Sequence, residues 1–202
     1  MENALDGVIK FQCQFTIDSI IYPEHIVQLN TIRAKAIAMH WIGEGKSGIG
    51  FGNLSQRDSH GSFLISGSQT GGTENLGVEG YSRVTDWNID ENWIVCKGLC
   101  KASSESMSHA AIYEMNDEIR ASIHIHSQQI WNTWTNLNTR TNPLVAYGTP
   151  GMAREIQRAI RENGMEMGGV LCMGGHEDGI IAWGSSLEDA WEKLIRIRCQ
   201  KT

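Results

Sequence analysis

Two histidines separated by a single residue are the first side chains in this sequence that could do chemistry together. His124 and His126 lie in residues 119–126, where apolar and polar residues alternate, and this alternation predicts a strand. Side chains two residues apart on a strand point to the same face, about 7 Å apart at their Cα atoms, so both imidazoles can reach one metal ion. The solvated face of a strand produces the same pattern, so the pair alone leaves both interpretations open.

A third histidine favours the interpretation of the pair as metal ligands. A zinc site needs at least three protein ligands, and His176 lies in a glycine-rich loop between two apolar runs, residues 170–173 and 180–183. A bulky polar residue in so tight a loop is hard to explain by packing alone. His176 is therefore the candidate third ligand.

An acidic residue lies at the start of a predicted helix. Glu105 follows Ser103 and Ser104 and opens a helical run over residues 105–115, with serine at the capping position. His109 lies one turn further on the same side of this helix. That spacing is more typical of a residue that supports a site than of a ligand.

The remaining pattern predicts the elements that must position these residues. Period-2 alternation and short apolar runs predict strands at residues 8–17, 63–65, 81–86, 93–97, 119–126, 170–173 and 180–183. Helical spacing and start signals predict four helices: residues 23–42, residues 105–115, residues 150–162, and a last helix that ends at Cys199 and is capped by Ser185 with Glu188. We see no linker or repeat, so we expect one layered α/β domain over residues 1–202.

Composition limits the class of protein and its partners. The 202 residues are 41% hydrophobic and carry 17 basic against 23 acidic side chains, a net charge of −6, without a cluster of Lys and Arg. Nucleic acid is therefore not expected as a partner. Neither a long apolar stretch nor a basic, apolar leader is visible, so we expect a cytoplasmic protein without a membrane partner. Five scattered cysteines are typical of reduced thiols.

Several short segments occur in an order that is known from one protein family. Over about residues 25–200 the sequence is similar to the class II aldolase and adducin-head family, which includes fuculose-1-phosphate and rhamnulose-1-phosphate aldolases, ribulose-5-phosphate 4-epimerases and methylthioribulose-1-phosphate dehydratases. The segments that carry the resemblance are Gly52-Asn53-Leu54-Ser55, Leu64-Ile65-Ser66-Gly67-Ser68, Ala102-Ser103-Ser104-Glu105, Ile123-His124-Ile125-His126-Ser127, Tyr147-Gly148-Thr149 and Gly175-His176.

The resemblance implies a fold and a metal site. The fold is a layered α/β/α domain with a central, largely antiparallel sheet. The resemblance implies that His124, His126 and His176 bind one Zn²⁺ per subunit, although another divalent ion would fit the same ligands. Glu105 matches the glutamate that is the fourth ligand without substrate and the catalytic acid/base with it.

The resemblance also implies the ligand and the assembly. The ligand is a small sugar phosphate, and the assembly is a homotetramer. Short hydroxyls, an amide and backbone N–H groups can hold a phosphate without Lys or Arg. The residues that match the family's phosphate-binding segments are Gly52, Asn53, Ser66, Gly67, Ser68, Ser103 and Ser104, together with the rest of the loop that runs from Ser66 to Thr70.

The leading hypothesis for the reaction is a zinc-dependent lyase that cleaves a ketose phosphate by retro-aldol chemistry through a metal-stabilised enediolate. In the family's aldolases, a tyrosine on a long segment after the His-x-His strand donates a proton. Here about 20 residues separate Ser127 from Gly148, and they contain Tyr147 but no glycine-rich loop with a tyrosine. Two alternatives therefore stay open: a pentulose-phosphate epimerase or dehydratase that uses the same site, and a non-catalytic scaffold of the adducin type.

Overall fold

The computed structural model describes residues 8–19 and 21–200, and over these residues the chain alternates strands with helices. The strands are β1 (Gln12–Ile17), β2 (Gly43–Glu44), β3 (Gly50–Phe51), β4 (Asn53–Arg57), β5 (Phe63–Ser66), β6 (Tyr81–Asn88), β7 (Trp93–Gly98), β8 (Ala121–His126), β9 (Gly169–Cys172) and β10 (Gly179–Gly184). The α-helices are α1 (Pro23–Ala38), α2 (Ser106–Tyr113), α3 (Gln128–Asn132), α4 (Pro150–Glu162) and α5 (Leu187–Gln200).

One eight-stranded sheet organises the molecule. Its strand order is β1-β7-β6-β5-β4-β8-β10-β9, while β2 and β3 form a separate two-stranded ribbon. Neighbouring strands are antiparallel, except that β1 runs parallel to β7. The predicted α/β fold with a large, mostly antiparallel sheet is confirmed.

Helices cover both faces of this sheet. Apolar side chains of α2 and α4, such as Met107 and Ile156, pack in one core on the first face. On the opposite face, Leu29 of α1 and Leu194 of α5 belong to a second core. The central strands are consequently buried on both sides, and five of the six residues of β8 are buried. The alternation at residues 119–126 therefore reflects two buried faces, one apolar and one polar, and the solvated-face interpretation of this strand is wrong.

The first helix ends four residues before the predicted boundary, at Ala38 rather than residue 42. His40 adopts a left-handed backbone conformation with φ 55°. The N–H of His40 then donates to the Ile37 carbonyl, and the N–H of Trp41 donates to the Ala36 carbonyl. This pair of bonds is the Schellman arrangement, which stops a helix even when the apolar periodicity continues.

Two helix starts also differ from their predicted positions. Helix α2 begins at Ser106 with Glu105 as its capping residue, and the Ser103 hydroxyl accepts a hydrogen bond from the Glu105 N–H at 3.3 Å. At α5 the hydroxyl of Ser186, rather than that of Ser185, accepts from the Asp189 N–H at 3.0 Å. Both starts lie one residue later than predicted because adjacent serines offer alternative caps, and packing selects between them.

Among the described residues, none of the helices is both long and apolar enough to cross a membrane.

Candidate functional site

Three histidine rings meet at one end of the central strands. His124 and His126 extend from the same face of β8, and His176 lies in the loop between β9 and β10. One ring nitrogen from each histidine lies within 4.8 Å of the others. The ring centroids are 5.1 Å apart for His124 and His126, 4.9 Å for His124 and His176, and 4.8 Å for His126 and His176. This is the spacing at which three imidazoles can share one metal ion.

The hydrogen bonding of His124 fits a metal ligand. Its Nδ1 donates to the Ile180 carbonyl at 3.1 Å, which leaves Nε2 as the ligand atom. Nε2 is buried and has no hydrogen-bond partner within the described part of the chain. Burial, and then the neighbouring His176 and His126, lower the pKa of His124 well below its ordinary value. The ring is therefore neutral, which is the form that binds metal.

Aromatic packing sets the orientation of His176. The Tyr147 ring stacks on the His176 ring, with centroids 4.1 Å apart and planes inclined by 20°. Lys10 lies over the Tyr147 ring, with Nζ 3.3 Å from the centroid, and donates to the Tyr147 carbonyl at 2.8 Å. A side chain at Gly179 would place Cβ 3.0 Å from His176 Cγ, so glycine is needed where His176 meets the strand.

Glu105 is held in a buried position at the start of α2. Only 2% of the residue is exposed, and Ser108 donates to its Oε2 at 2.7 Å. Gly148 faces the other carboxylate oxygen, because a Cβ there would lie 3.5 Å from Glu105 Oε1 and 3.2 Å from the Ser104 carbonyl oxygen. Gly148 also has φ +65°, a conformation that favours glycine.

One cleft brings most of the predicted site residues together. Of the residues predicted from the sequence, those in its lining are Gly52, Asn53, Gly67, Ser68, Ser103, Ser104, Glu105, His124 and His126. Gln69 and Thr70, which belong to the loop matched to phosphate binding, also line the cleft, and so do Gly50, Phe51 and Gly71, which were not predicted. The cleft therefore joins two of the three histidines, His124 and His126, with the carboxylate and the serine-rich segments, whereas His176 is not among its lining residues.

Ser66 has a different position from the one predicted. It is 2% exposed, and its hydroxyl accepts a hydrogen bond from the Leu54 N–H at 3.3 Å. The lining of the cleft on this segment begins at Gly67 instead. Ser66 therefore fixes the spacing of β4 and β5, and the residues after it reach the ligand space.

A buried arginine supports the far wall of the cleft. Arg33 of α1 is 1% exposed and donates to the carbonyl oxygens of Thr70 at 2.7 Å, Gly71 at 3.2 Å and Glu74 at 3.1 Å. Burial lowers its pKa from the ordinary value. Lys and Arg are absent from the described residues that line the cleft, so Arg33 provides positive charge directly behind this loop.

His109 supports the cleft, as its spacing predicted, and it does so through residues of strand β4. It hydrogen bonds to Asn53 and Ser55 on β4, and these bonds link α2 to the sheet. Asn53 is opposite His124 in the β4–β8 register, so the two residues share a face. The contribution of Ser55 could not be predicted, because a lone serine in a strand carries no long-range signal.

Comparisons with known proteins agree with this geometry. Residues 36–198 match the model of the family described as class II aldolase and adducin N-terminal domain. A comparison with curated protein sequences gives no match.

Three similar solved structures have the same fold. L-fuculose-1-phosphate aldolase from Thermus thermophilus is 19% identical, with 87% of this chain and 88% of that chain covered and a TM-score of 0.59. A sugar-phosphate aldolase from Thermotoga maritima is 13% identical, with 86% and 90% covered and a TM-score of 0.65. YgbL from Klebsiella pneumoniae, described as an aldolase, epimerase or decarboxylase without a choice among them, is 18% identical, with 86% and 84% covered and a TM-score of 0.63.

Proposed function

Since the chain belongs to the class II aldolase and adducin N-terminal domain family, we propose that it is a zinc-dependent lyase that cleaves a ketose phosphate by retro-aldol chemistry. The observation that carries the proposal is the group of three histidines within 4.8 Å of one another, two of which line the same cleft as Glu105. A scaffold has no need for this combination of buried, ionisable residues, because their burial costs free energy and gives a scaffold nothing in return.

The residues fit a divalent ion held by three neutral imidazoles. In the proposal His124 binds through Nε2, and His126 and His176 supply one ring nitrogen each. The support is the geometry of the cluster and the neutral state of His124. A zinc ion bound there supplies positive charge that stabilises negative charge developing on a substrate oxygen. Three neutral ligands leave the charge of the ion undiminished, and Zn²⁺ accepts this ligand set readily.

Glu105 is the residue we assign to proton transfer. When the carbon–carbon bond of the ketose phosphate breaks, the hydroxyl on the carbon that becomes an aldehyde gives up its proton and the carbon that keeps the electron pair takes one up, so one carboxylate that accepts the first proton can supply the second. Glu105 lines the cleft and is oriented by Ser108. Its carboxyl group delivers this proton to that carbon, and its burial excludes the bulk water that would otherwise compete.

The phosphate of the substrate is assigned to the serine- and glycine-rich walls of the cleft. Asn53, Ser103 and Ser104 offer side-chain donors. The Gly67 and Ser68 N–H groups already donate to the Gly80 and Lys101 carbonyls, so the backbone N–H groups assigned to the phosphate are those of the next three residues, Gln69 to Gly71. The buried charge of Arg33 lies directly behind that loop. This arrangement can hold an anion although no Lys or Arg is among the described residues that line the cleft.

The variant Glu105→Gln tests the mechanism. It keeps the size and the capping position of the side chain but cannot donate a proton from a carboxyl group. We expect it to retain the metal and to lose about 10²–10⁴-fold in turnover when products from a panel of ketose phosphates are followed by NMR. Glu118→Gln, an exposed change of the same chemistry, should behave like the wild type. Full turnover in Glu105→Gln would remove Glu105 from the mechanism.

The same experiment distinguishes a second candidate reaction. The similarity to YgbL, whose description includes an epimerase, favours keeping epimerisation or dehydration of a pentulose phosphate as the alternative. In those reactions the carbon skeleton stays whole while a stereocentre inverts or water is lost. NMR products of unchanged chain length would replace the aldolase proposal with this one.

Assembly, domain organisation and location stay predictions. The family resemblance supports a homotetramer, and multi-angle light scattering of the native protein should give about four times the chain mass of 22.4 kDa. A monomer at micromolar concentration would contradict the tetramer. One domain over residues 1–202 predicts a single cooperative unfolding transition, and the cytoplasmic location predicts recovery in the cytosolic fraction.

A further inference from the structure

Four polar side chains form a continuous hydrogen-bonded chain that runs from the core to the cleft. The Tyr113 hydroxyl is 2.7 Å from the Ser55 hydroxyl, and the Ser55 hydroxyl is 2.7 Å from His109 Nδ1. His109 Nε2 is 2.7 Å from Asn53 Oδ1. Ser55 and His109 are fully buried, Tyr113 is 1% exposed and Asn53 is 6% exposed. We call the first three residues, Tyr113, Ser55 and His109, the relay.

The direction of every hydrogen bond in this chain is fixed by chemistry. Burial lowers the pKa of His109 to about 3, so its imidazole is neutral and carries one N–H. At the closed end of the chain, the Tyr113 hydroxyl has no other acceptor among the described side chains, so it donates to Ser55, and Ser55 donates in turn to His109 Nδ1. The one N–H of the neutral imidazole is then on Nε2, which donates to the amide oxygen of Asn53.

The last member of the chain, Asn53, faces the ligand space. Asn53 lines the cleft and lies opposite His124 in the β4–β8 register. Its carbonyl oxygen is occupied by His109. Its amino group has no hydrogen-bond partner among the side chains that the structure describes, and it is not completely buried. The amino group is thus the part of the Asn53 side chain that can donate to a group in the cleft.

An unsupported asparagine would not have this polarity. The amide can turn by 180° and present its oxygen or its amino group with almost the same shape. Because His109 donates to the Asn53 amide, the orientation that would place the Asn53 amino group against His109 is excluded. A buried polar network also has a cost unless all of its members are satisfied, and here the three members of the relay are satisfied in one direction.

We propose that Tyr113, Ser55 and His109 are positioning residues that lock Asn53 with its N–H groups toward the cleft, so that this wall accepts a phosphate oxyanion and rejects hydrogen-bond donors. A donor placed against these N–H groups would leave two donors facing each other without an acceptor, which costs free energy. The inference deepens the proposed function, on which it rests for the identity of the anion as the substrate's phosphate.

The tautomer of His109 is the first readout, because it reports the direction in which the hydrogen bonds of the relay run. Long-range proton–nitrogen NMR correlations of the native protein, with its metal content measured, should show His109 neutral and protonated on Nε2. In the Ser55→Ala variant, His109 Nδ1 no longer accepts a hydrogen bond from a hydroxyl at position 55, and we expect a mixture of His109 tautomers. An Nδ1-protonated or charged His109 in the wild type would overturn the proposal.

Phosphate binding is the second readout. Inorganic phosphate titrated calorimetrically into the native protein should bind about tenfold more weakly to Ser55→Ala, because part of the population then presents the Asn53 oxygen. Ser122→Ala is the matched control, since Ser122 lies opposite Ser55 on β8 and its hydroxyl has no partner in the described structure. It should bind phosphate like the wild type. Ser55→Thr, which keeps a hydroxyl, should restore most of the affinity.

These outcomes separate the relay from the proposed reaction. Equal phosphate affinity in the wild type, Ser55→Ala and Ser122→Ala would overturn the relay even if the enzyme cleaves a ketose phosphate. If the His109 tautomer and the tenfold effect are found but no ketose phosphate is cleaved, the relay stands and the proposed function fails. If Ser55→Ala does not fold, the tautomer of His109 in the wild type still decides the question.

Discussion

Acid should destabilise this fold through one buried histidine. His109 is fully buried, and burial lowers its pKa from 6.5 to about 3. In the unfolded chain the imidazole takes up a proton near pH 6.5. Between these two values the unfolded state binds a proton that the folded state refuses, so the free energy of unfolding decreases as the pH falls. The contribution of neutral His109 to the free energy of unfolding is complete above pH 6.5 and is lost progressively as the pH falls toward 3.

The size of this effect can be worked out from the two pKa values. Linkage gives about 1.4 kcal/mol for each pH unit well inside this window, and about 2 kcal/mol between pH 7 and pH 5. Urea unfolding at pH 7, 6 and 5 measures it when the wild type is compared with His109→Gln at equal metal content. Glutamine supplies an N–H donor and a carbonyl acceptor but does not titrate, so the contributions of the other groups cancel.

The wild type should therefore lose about 2 kcal/mol more than His109→Gln between pH 7 and pH 5. His60→Gln, a change at an exposed histidine, should follow the wild type over the whole range. Parallel pH profiles for the wild type and His109→Gln would show that His109 accepts a proton in the folded protein. That result would refute the assignment of hydrogen-bond directions in the relay.

Three further substitutions test the walls of the site. Arg33→Met removes the charge behind the cleft loop, and calorimetry should show about tenfold weaker binding of inorganic phosphate; unchanged affinity would contradict the role of that charge. Gly148→Ala forces a side chain into a left-handed backbone against the Glu105 carboxylate, so urea unfolding should show a loss of about 1 kcal/mol, together with lower turnover. Wild-type stability would contradict that strain. Tyr147→Leu removes the ring stacked on His176, and chelator competition should show metal affinity reduced by about tenfold or more. Equal affinity would show that the loop alone orients the histidine.

Local patterns predicted most of the elements that form the site. The alternation at residues 119–126 identified β8, and Thr149 before Pro150 identified the start of α4, where the Thr149 hydroxyl accepts from the Met152 N–H. Such signals work because strand alternation and helix caps depend on residues close in sequence. Helix ends were less predictable, because the left-handed His40 stops α1 without a glycine as a signal.

The supporting contacts of the site lie beyond what local patterns contain. Lys10 bonds to Tyr147 across 137 positions of the chain, and Arg33 reaches the Thr70 carbonyl across 37. The approach of His176 to the two histidines of β8 likewise depends on tertiary packing, and the sequence pointed to it only through the glycine-rich loop around His176 and a family resemblance. Contacts between side chains that are far apart in the sequence produce no periodic pattern in it.

Metal content is the most direct test of the central claim that three histidines hold a catalytic ion. The native protein, His124→Ala and His60→Ala should be purified identically and analysed by mass spectrometry. The account predicts close to one zinc ion per chain in the native protein and in His60→Ala, and little in His124→Ala. If the native protein contains no metal and also refuses added zinc, the claim is contradicted and the scaffold alternative takes its place.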